Sequence, residues 1–382
     1  MAIKYYYIDD DPLSTIEETA KGLSIHNEIL EVIPFQHKKW EDLISFLIEN
    51  QSNFDGLLLD WGLNRKNEEG DKANFDVEAL TQQLRRLSVE KKILKKDFPI
   101  ILCSAQYEFS KVYDKLLSSH DLFDVIYEKD FFHERRETVE NEMADIGNSY
   151  KRITELLASN DTENVLKHLF AIDNLEKVDY RIVDYLRQLL NEKKPIHELA
   201  RFMLTKVARP AGVLIDKALL SARLGVNLDD EANENTLGLF KNLNSCAYKG
   251  VFANHNQRWW MELIIDWWNE NFDMSLGSLS AKERASLLNE KFNLTLNSIT
   301  PLENSKSDYF WTICKVTRNP IAISDGILAA TPIDKSPWEE DEYFSIMKAV
   351  EQEASKVHPL ERDRLKKLKE LYTKVRRRNE AE

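Results

Sequence analysis

Phe54-Asp55-Gly56-Leu57-Leu58-Leu59-Asp60-Trp61-Gly62 decides the fold of the first third of the chain. Asp55-Gly56 is a turn signal, Leu57 to Leu59 is a short apolar run, and Asp60 closes it with a carboxylate that no strand interior tolerates. A continuous apolar run of this length reads as a strand buried on both faces, as in a parallel sheet covered by helices. In such open sheets the chemistry lies just beyond the carboxyl ends of the strands, which puts Asp60 in the crevice.

Four further runs fit around it. Lys4 to Ile8 ends at Asp9-Asp10-Asp11-Pro12, and Ile29 to Ile33 is a second β-rich run. Phe98 to Cys103 ends at Ser104-Ala105, and Phe123 to Tyr127 runs into Glu128-Lys129. Helical periodicity lies between them: Ile16 to Ile25, Lys39 to Glu49, Val77 to Leu94 and Lys111 to Leu117. Strands alternating with helices predict βαβ units and a parallel sheet. The strand ends then carry Asp9, Asp10, Asp60, Ser104 and Lys129 to one edge. Three carboxylates so close repel unless they share a cation, and oxygen-only ligands with open positions suit Mg²⁺. A carboxylate beside such a metal can attack phosphorus, a step that needs mostly positioning and charge neutralisation, supplied by Mg²⁺ and Lys129.

The ordered set Asp9-Asp10, Asp60, Ser104-Ala105 and Lys129 resembles the receiver domain of two-component response regulators, over about the first 135 residues. The resemblance implies an α/β flavodoxin-like fold, with five parallel strands and helices on both faces. It implies that Asp60 is the phosphoacceptor and that Asp9 and Asp10 help Asp60 hold Mg²⁺. Ser104 would contact the phosphoryl group and report it through its loop, Lys129 would pair with a phosphoryl oxygen, and Ala105 would leave access to Asp60. A histidine kinase or phosphotransfer protein is the implied partner.

The sequence also departs from the family. The loop after Asp60 reads Trp61-Gly62-Leu63-Asn64-Arg65-Lys66-Asn67, without the usual Pro, and the 44 residues from Asp60 to Ser104 imply an insertion around Arg65–Phe75 or a longer third helix. Asp130 follows Lys129 where a Pro is common, and Ile126 stands where an aromatic switch residue is expected, with Tyr127 one place off and facing the other side. These changes touch the relay to the far face more than the phosphoryl chemistry.

Composition sets the frame. A chain of 382 residues, 43% hydrophobic and 31% charged, suits an ordinary globular protein of two or three domains. No apolar run approaches the ~20 residues of a membrane span, and the start lacks a signal-peptide layout. Cys103, Cys246 and Cys314 have no metal spacing and read as reduced core cysteines of a cytoplasmic protein. The net charge of −13 is uneven: residues 1–150 hold 18 Lys and Arg against 30 Asp and Glu, and the remainder 34 against 35. That speaks against nucleic-acid binding by the first part.

The expected layout is a receiver over 1–135, a helical linker over 136–160, a mainly helical or α+β output domain over 161–358, and an amphipathic helix over 359–382. Val165 to Leu190 and Ile196 to Leu224 carry helical spacing, the latter interrupted at Arg209-Pro210. Arg258 to Phe272 holds Trp259, Trp260, Trp267 and Trp268. Read as one helix, it is core or a partner-binding face. Leu279 to Leu288 only weakly resembles a DNA-reading helix, since Pro301 interrupts and no basic stripe is present. His197-Glu198 is a lone dipeptide with no Gly-rich lid after it, and no GxSxG, HExxH, CxxC or P-loop pattern occurs. Leu365, Leu368, Tyr372 and Val375 fit a helix docked on the body or a short coiled-coil seam of a homodimer, and Arg376 to Arg378 could meet an acidic partner. The expected function is a Mg²⁺-dependent, Asp60-phosphorylated response regulator with a non-DNA-binding output or interaction domain. A phosphate sink or scaffold, as in a defence-type signalling system, and a C-terminal enzyme of unrecognised family stay open beside it.

Overall fold

In a computed structural model, which describes residues 1–63, 65–90, 94–104, 122–302 and 305–379, the apolar runs become five strands. They are β1 (Ile3–Asp9), β2 (Leu30–Gln36), β3 (Gly56–Asp60), β4 (Ile100–Ser104) and β5 (Val125–Glu128). All pair in parallel, in the order β2-β1-β3-β4-β5, which is the flavodoxin-like arrangement. Every residue of β3 and β4 is buried, as a strand covered on both faces requires.

Alternation along the strands builds two cores. Tyr6, Ile8, Leu57, Leu59, Ile100 and Leu102 face α2 (Trp40–Glu49) and α3 (Val77–Glu90), which contribute Leu43, Leu47, Leu80, Leu84 and Leu87. On the opposite face, Ile3 and Tyr5 meet α5 (Arg136–Leu156), which also touches α1 (Leu13–Leu23). Gly147 lets that helix close in, because a Cβ there would stand 2.4 Å from Cγ2 of Ile3. The Tyr5 hydroxyl donates to the carbonyl of Met143 at 3.0 Å. The stretch 136–160, expected as a linker, is therefore largely a helix laid on the sheet. Between β5 and α5 lies the short helix α4 (Lys129–Glu134).

Two compact units divide the chain. The first comprises Met1–Leu175, Tyr180–Arg209 and Lys249–Asn256, and the second Glu176–Asp179, Pro210–Tyr248 and Gln257–Glu382. The first thus extends well past the receiver length, taking in α6 (Thr162–Phe170), α7 (Tyr180–Asn191) and α8 (Ile196–Phe202). The helical run expected from Val165 is cut at Ala171, whose left-handed φ of 51° ends α6.

At the amino-terminal edge of the sheet a buried polar cluster fastens these additions. Arg85 donates to Asp97 (3.1 Å), to Asp124 (2.8 Å) and to the carbonyl of Phe98 (2.7 Å). Asp124 also accepts from the Tyr150 hydroxyl and from the amide of Ile100. Both the amide and Nδ1 of His197 lie on Asp97, at 2.8 and 2.6 Å. His197 of the isolated His-Glu pair is a fastening for α8.

The second unit is helical with three two-stranded antiparallel ladders, Leu214–Asp216 with Arg258–Trp260, Thr312–Ile313 with Pro320–Ile321, and Gly326–Leu328 with Tyr343–Ser345. The Trp-rich segment corrects the sequence expectation. Trp259 and Trp260 lie on a strand, and only Met261–Asn271 is helical. All four indoles are buried, so they are core and present no partner-binding face. Trp267 stacks on Phe292 at 5.4 Å, and the indole N–H of Trp268 donates to the carbonyl of Met274.

The helix Ala281–Phe292 is likewise interior. Arg284, fully buried, donates to the carbonyls of Leu279, Ala222, Arg223 and Phe310. In the final helix, Arg362–Asn379, Leu365 is buried against Ile327, Ala329, Phe344 and Val357 with Leu368 leaning on the same cluster, so its first turns dock on the body. The side chains of Val375 and Arg376 to Arg378, together with Ala105 and the helix expected over 111–117, lie outside the described residues. Cys103, Cys246 and Cys314 are buried free thiols. Among the described residues no helix is long and apolar enough to cross a membrane.

Candidate functional site

Parallel register sets the site. Asp60 ends β3 beside Cys103, and Ser104, the next residue of β4, lies beside Glu128. Asp9 ends β1 beside Gln36, and Lys129 begins α4 directly after β5. The carboxyl ends of four strands therefore deliver their polar residues to one edge.

There the Lys129 ammonium sits 2.7 Å from Oδ1 of Asp60, 2.9 Å from Oδ2 of Asp9 and 3.8 Å from Oδ2 of Asp11. Oδ1 of Asp9 accepts the backbone N–H groups of Asp10 (2.7 Å) and Asp11 (3.0 Å), and Oδ2 also accepts the Tyr7 hydroxyl. The amide of Gly62 donates to Oδ2 of Asp60 at 2.8 Å. Oxygens of Asp9, Asp10 and Asp60 all lie within 4.8 Å of one another. These three residues and Ser104 are buried.

The charges do not balance. Among the described residues, Asp9, Asp10, Asp11 and Asp60 face two cations, Lys129 and Arg65, whose guanidinium pairs with Asp11. The excess is two negative charges, the charge of one divalent ion. Burial, and then repulsion from Asp9, push the Asp60 carboxyl up to about 6, against the pull of Lys129. Asp9 goes the other way. Burial would raise it, but Lys129 and the Tyr7 hydroxyl hold it below the ordinary carboxylate value. Lys129 is raised: burial disfavours its charge, but the carboxylates outweigh that cost and keep it an ammonium. An all-oxygen donor set with this excess charge fits a hard divalent cation such as Mg²⁺, which Asp9, Asp10 and Asp60 would hold.

The structure thus brings together four of the five residues chosen from sequence by direct contact or shared oxygens, and places Ser104 on the neighbouring strand end. Two participants escaped the sequence reading. Tyr7 lies two residues before Asp9, on the same face of β1, so strand alternation could have found it. Arg65 acts partly through its backbone amide, which donates to Oδ2 of Asp10, and no side-chain pattern announces that.

Beside the site, β5 is wired as the alternation predicts. Ile126 leans on the α2 and α3 core, while the Tyr127 hydroxyl donates to Glu142 of α5 at 2.6 Å. Glu142 also receives the guanidinium of Arg209, and Nε2 of His255 lies 3.6 Å away. No family model matches the chain, and no curated protein matches it.

Proposed function

We propose that the first unit is a phosphoacceptor receiver that uses Asp60. The observation that supports it is the meeting of Asp9, Asp10, Asp60 and Lys129 at the carboxyl edge of a five-stranded parallel sheet. With its carboxyl at about 6, Asp60 is mostly ionised at pH 7 and available as a nucleophile. Its oxygen attacks the phosphorus of a phosphohistidine on a partner kinase or phosphotransfer protein. The P–N bond breaks, its electron pair returns to the imidazole, and Asp60 becomes an acyl phosphate. Lys129, already on Oδ1, pairs with an oxygen of the incoming phosphoryl group, and Ser104 is the hydroxyl on the adjacent strand end. Mg²⁺ held by Asp9, Asp10 and Asp60 would neutralise charge on the phosphoryl oxygens.

The second unit is the output or interaction body in this reading, and its buried indoles give it no exposed aromatic docking face at Trp259 to Trp268. The test is incubation with acetyl phosphate and Mg²⁺, followed by a phosphate-affinity gel, for wild type and Asp60→Ala. A retarded band that needs Asp60 is expected, and its absence removes the proposal. A receiver that serves as a docking scaffold without phosphorylation is the second reading, favoured by the contacts of Arg65 with Asp10 and Asp11. In that case Asp60→Ala leaves partner capture intact.

A further inference from the structure

The insertion after Asp60 is a small hairpin folded back on the acidic edge. Lys66 bridges antiparallel to Lys72, and Gly70 turns the chain with a φ of 85°. Asn67 organises it: its amide donates to the carbonyl of Asp71 and its Oδ1 accepts the amide of Asp71, both at 2.8 Å. Four contacts tie the hairpin to the end of β2 and the segment after it. Asn67 Nδ2 donates to the carbonyl of His37 (3.2 Å), and Nε2 of His37 donates to the carbonyl of Arg65 (3.0 Å). Oε1 of Gln36 accepts the amide of Glu68 (3.0 Å), and Lys39 pairs with Asp71 (3.0 Å).

From that position Arg65 reaches two carboxylates, Asp10 through its backbone amide and Asp11 through its guanidinium. Oxygens of Asp9 and Asp60 are engaged by Lys129, Tyr7, Gly62 and the amides of Asp10 and Asp11. Of the oxygens of Asp9, Asp10 and Asp60, only Oδ1 of Asp10 has no hydrogen-bond partner among the described residues. A cation at the triad would share its oxygens with these contacts, and those of Arg65 come from the hairpin.

His37 supplies an independent sign that this closure is incomplete. The residue is 1% exposed, yet Nδ1 has no partner among the described residues. Because Nε2 must carry the proton to donate to a carbonyl, Nδ1 is a buried acceptor unpaired among the described residues, which disfavours the closed hairpin. Opening the hairpin would let water reach it.

We infer that the hairpin 65–72 is a latch whose Arg65 amide competes with the divalent cation for Asp10, while the Arg65 guanidinium on Asp11 lowers the cation affinity of the site. The inference rests on the phosphoacceptor reading and adds an element to it: cation binding releases the latch. Two variants separate the latch from simple charge removal. Arg65→Ala deletes the guanidinium, whereas Asn67→Ala keeps every charge and unfastens the hairpin from His37 and Asp71.

The test is calorimetric titration of Mg²⁺ into the full chain, paired with hydrogen exchange of the 66–72 amides. Both variants are expected to bind Mg²⁺ roughly three- to tenfold more tightly than wild type, and Mg²⁺ is expected to speed exchange across 66–72 in the wild type. Tighter binding by Arg65→Ala alone reduces the effect to charge and overturns the latch. So does unchanged affinity in both variants, or slower exchange with Mg²⁺. If none of the three proteins binds Mg²⁺, the phosphoacceptor reading fails and the latch with it. If all bind equally, only the latch fails.

Discussion

The two edges of the same five-stranded sheet use the same residue types to opposite ends. At the amino-terminal edge Asp97 and Asp124 share Arg85, and each has a further partner in His197 or Tyr150. At the carboxyl edge four aspartates share Lys129 and Arg65, and two negative charges are left over. The first edge is closed, with all four carboxylate oxygens hydrogen-bonded, and the second is open. A buried cluster whose carboxylate oxygens are all hydrogen-bonded holds a fold together, and one that is under-neutralised is ready for a ligand.

The largest effects should separate the edges most sharply. Arg85→Leu leaves two buried carboxylates without their guanidinium, and we expect a loss of about 3–5 kcal/mol in urea unfolding. Asp60→Asn removes one of several like charges while Lys129 keeps Asp9, so it should leave stability unchanged or raise it by about 1 kcal/mol. Equal destabilisation by the two variants would break the comparison. Mg²⁺ gives the next effect. At about a hundred times its dissociation constant it should stabilise the wild type by roughly 2.7 kcal/mol, and Asp60→Asn should lose most of that gain in thermal unfolding. A gain of the same size in Asp60→Asn would place the cation elsewhere.

Acid should act on the closed edge. Burial alone would raise Asp97, but the His197 contact and Arg85 hold it below its ordinary value. The folded protein therefore keeps Asp97 ionised where the unfolded chain would protonate it. Its contribution is whole above about pH 4 and drains as the pH falls through the folded value. Glu142 behaves alike, lowered by Arg209, the Tyr127 hydroxyl and His255 against its burial. The midpoint of urea unfolding should fall on the acid side of pH 4, and Asp97→Asn should flatten that slope by about 1 kcal/mol. A slope unchanged in Asp97→Asn would assign the acid sensitivity to other carboxylates.

What could be read in the sequence follows from how each feature is encoded. Strands buried on both faces write themselves as apolar runs, and a strand end shows as the first charge after the run, so Asp9, Asp60, Ser104 and Lys129 were legible one by one. Their meeting then required only parallel register. Contacts made by the backbone leave no such trace, which is why the amide of Arg65 on Asp10 stayed hidden. Trp259 and Trp260 misled for another reason. An apolar pair just before a helix extends the helical period, although the antiparallel pairing of Ile215 with Trp259 makes it a strand. The fastening of α8 by His197 on Asp97 joins residues too far apart in the chain for local pattern to show.

The smallest effect probes the strand that borders both edges. Tyr127 and Lys129 stand on either side of Glu128, the phenol on β5 and the ammonium at the start of α4. The ammonium turns to the open edge, while the phenol turns to Glu142 on α5. Glu142 keeps Arg209 and His255 when the phenol is removed, and its charge stays paired. Tyr127→Phe should then cost only about 1 kcal/mol in urea unfolding, the loss of one hydrogen bond to a carboxylate that retains other partners. It should also leave Mg²⁺ affinity and Asp60 labelling unchanged, because the phenol donates its hydrogen bond to Glu142 on α5. A change in either would mean that the two directions out of β5 are mechanically joined through Glu128, and that the ammonium is positioned from the α5 side as well as from the aspartates it touches.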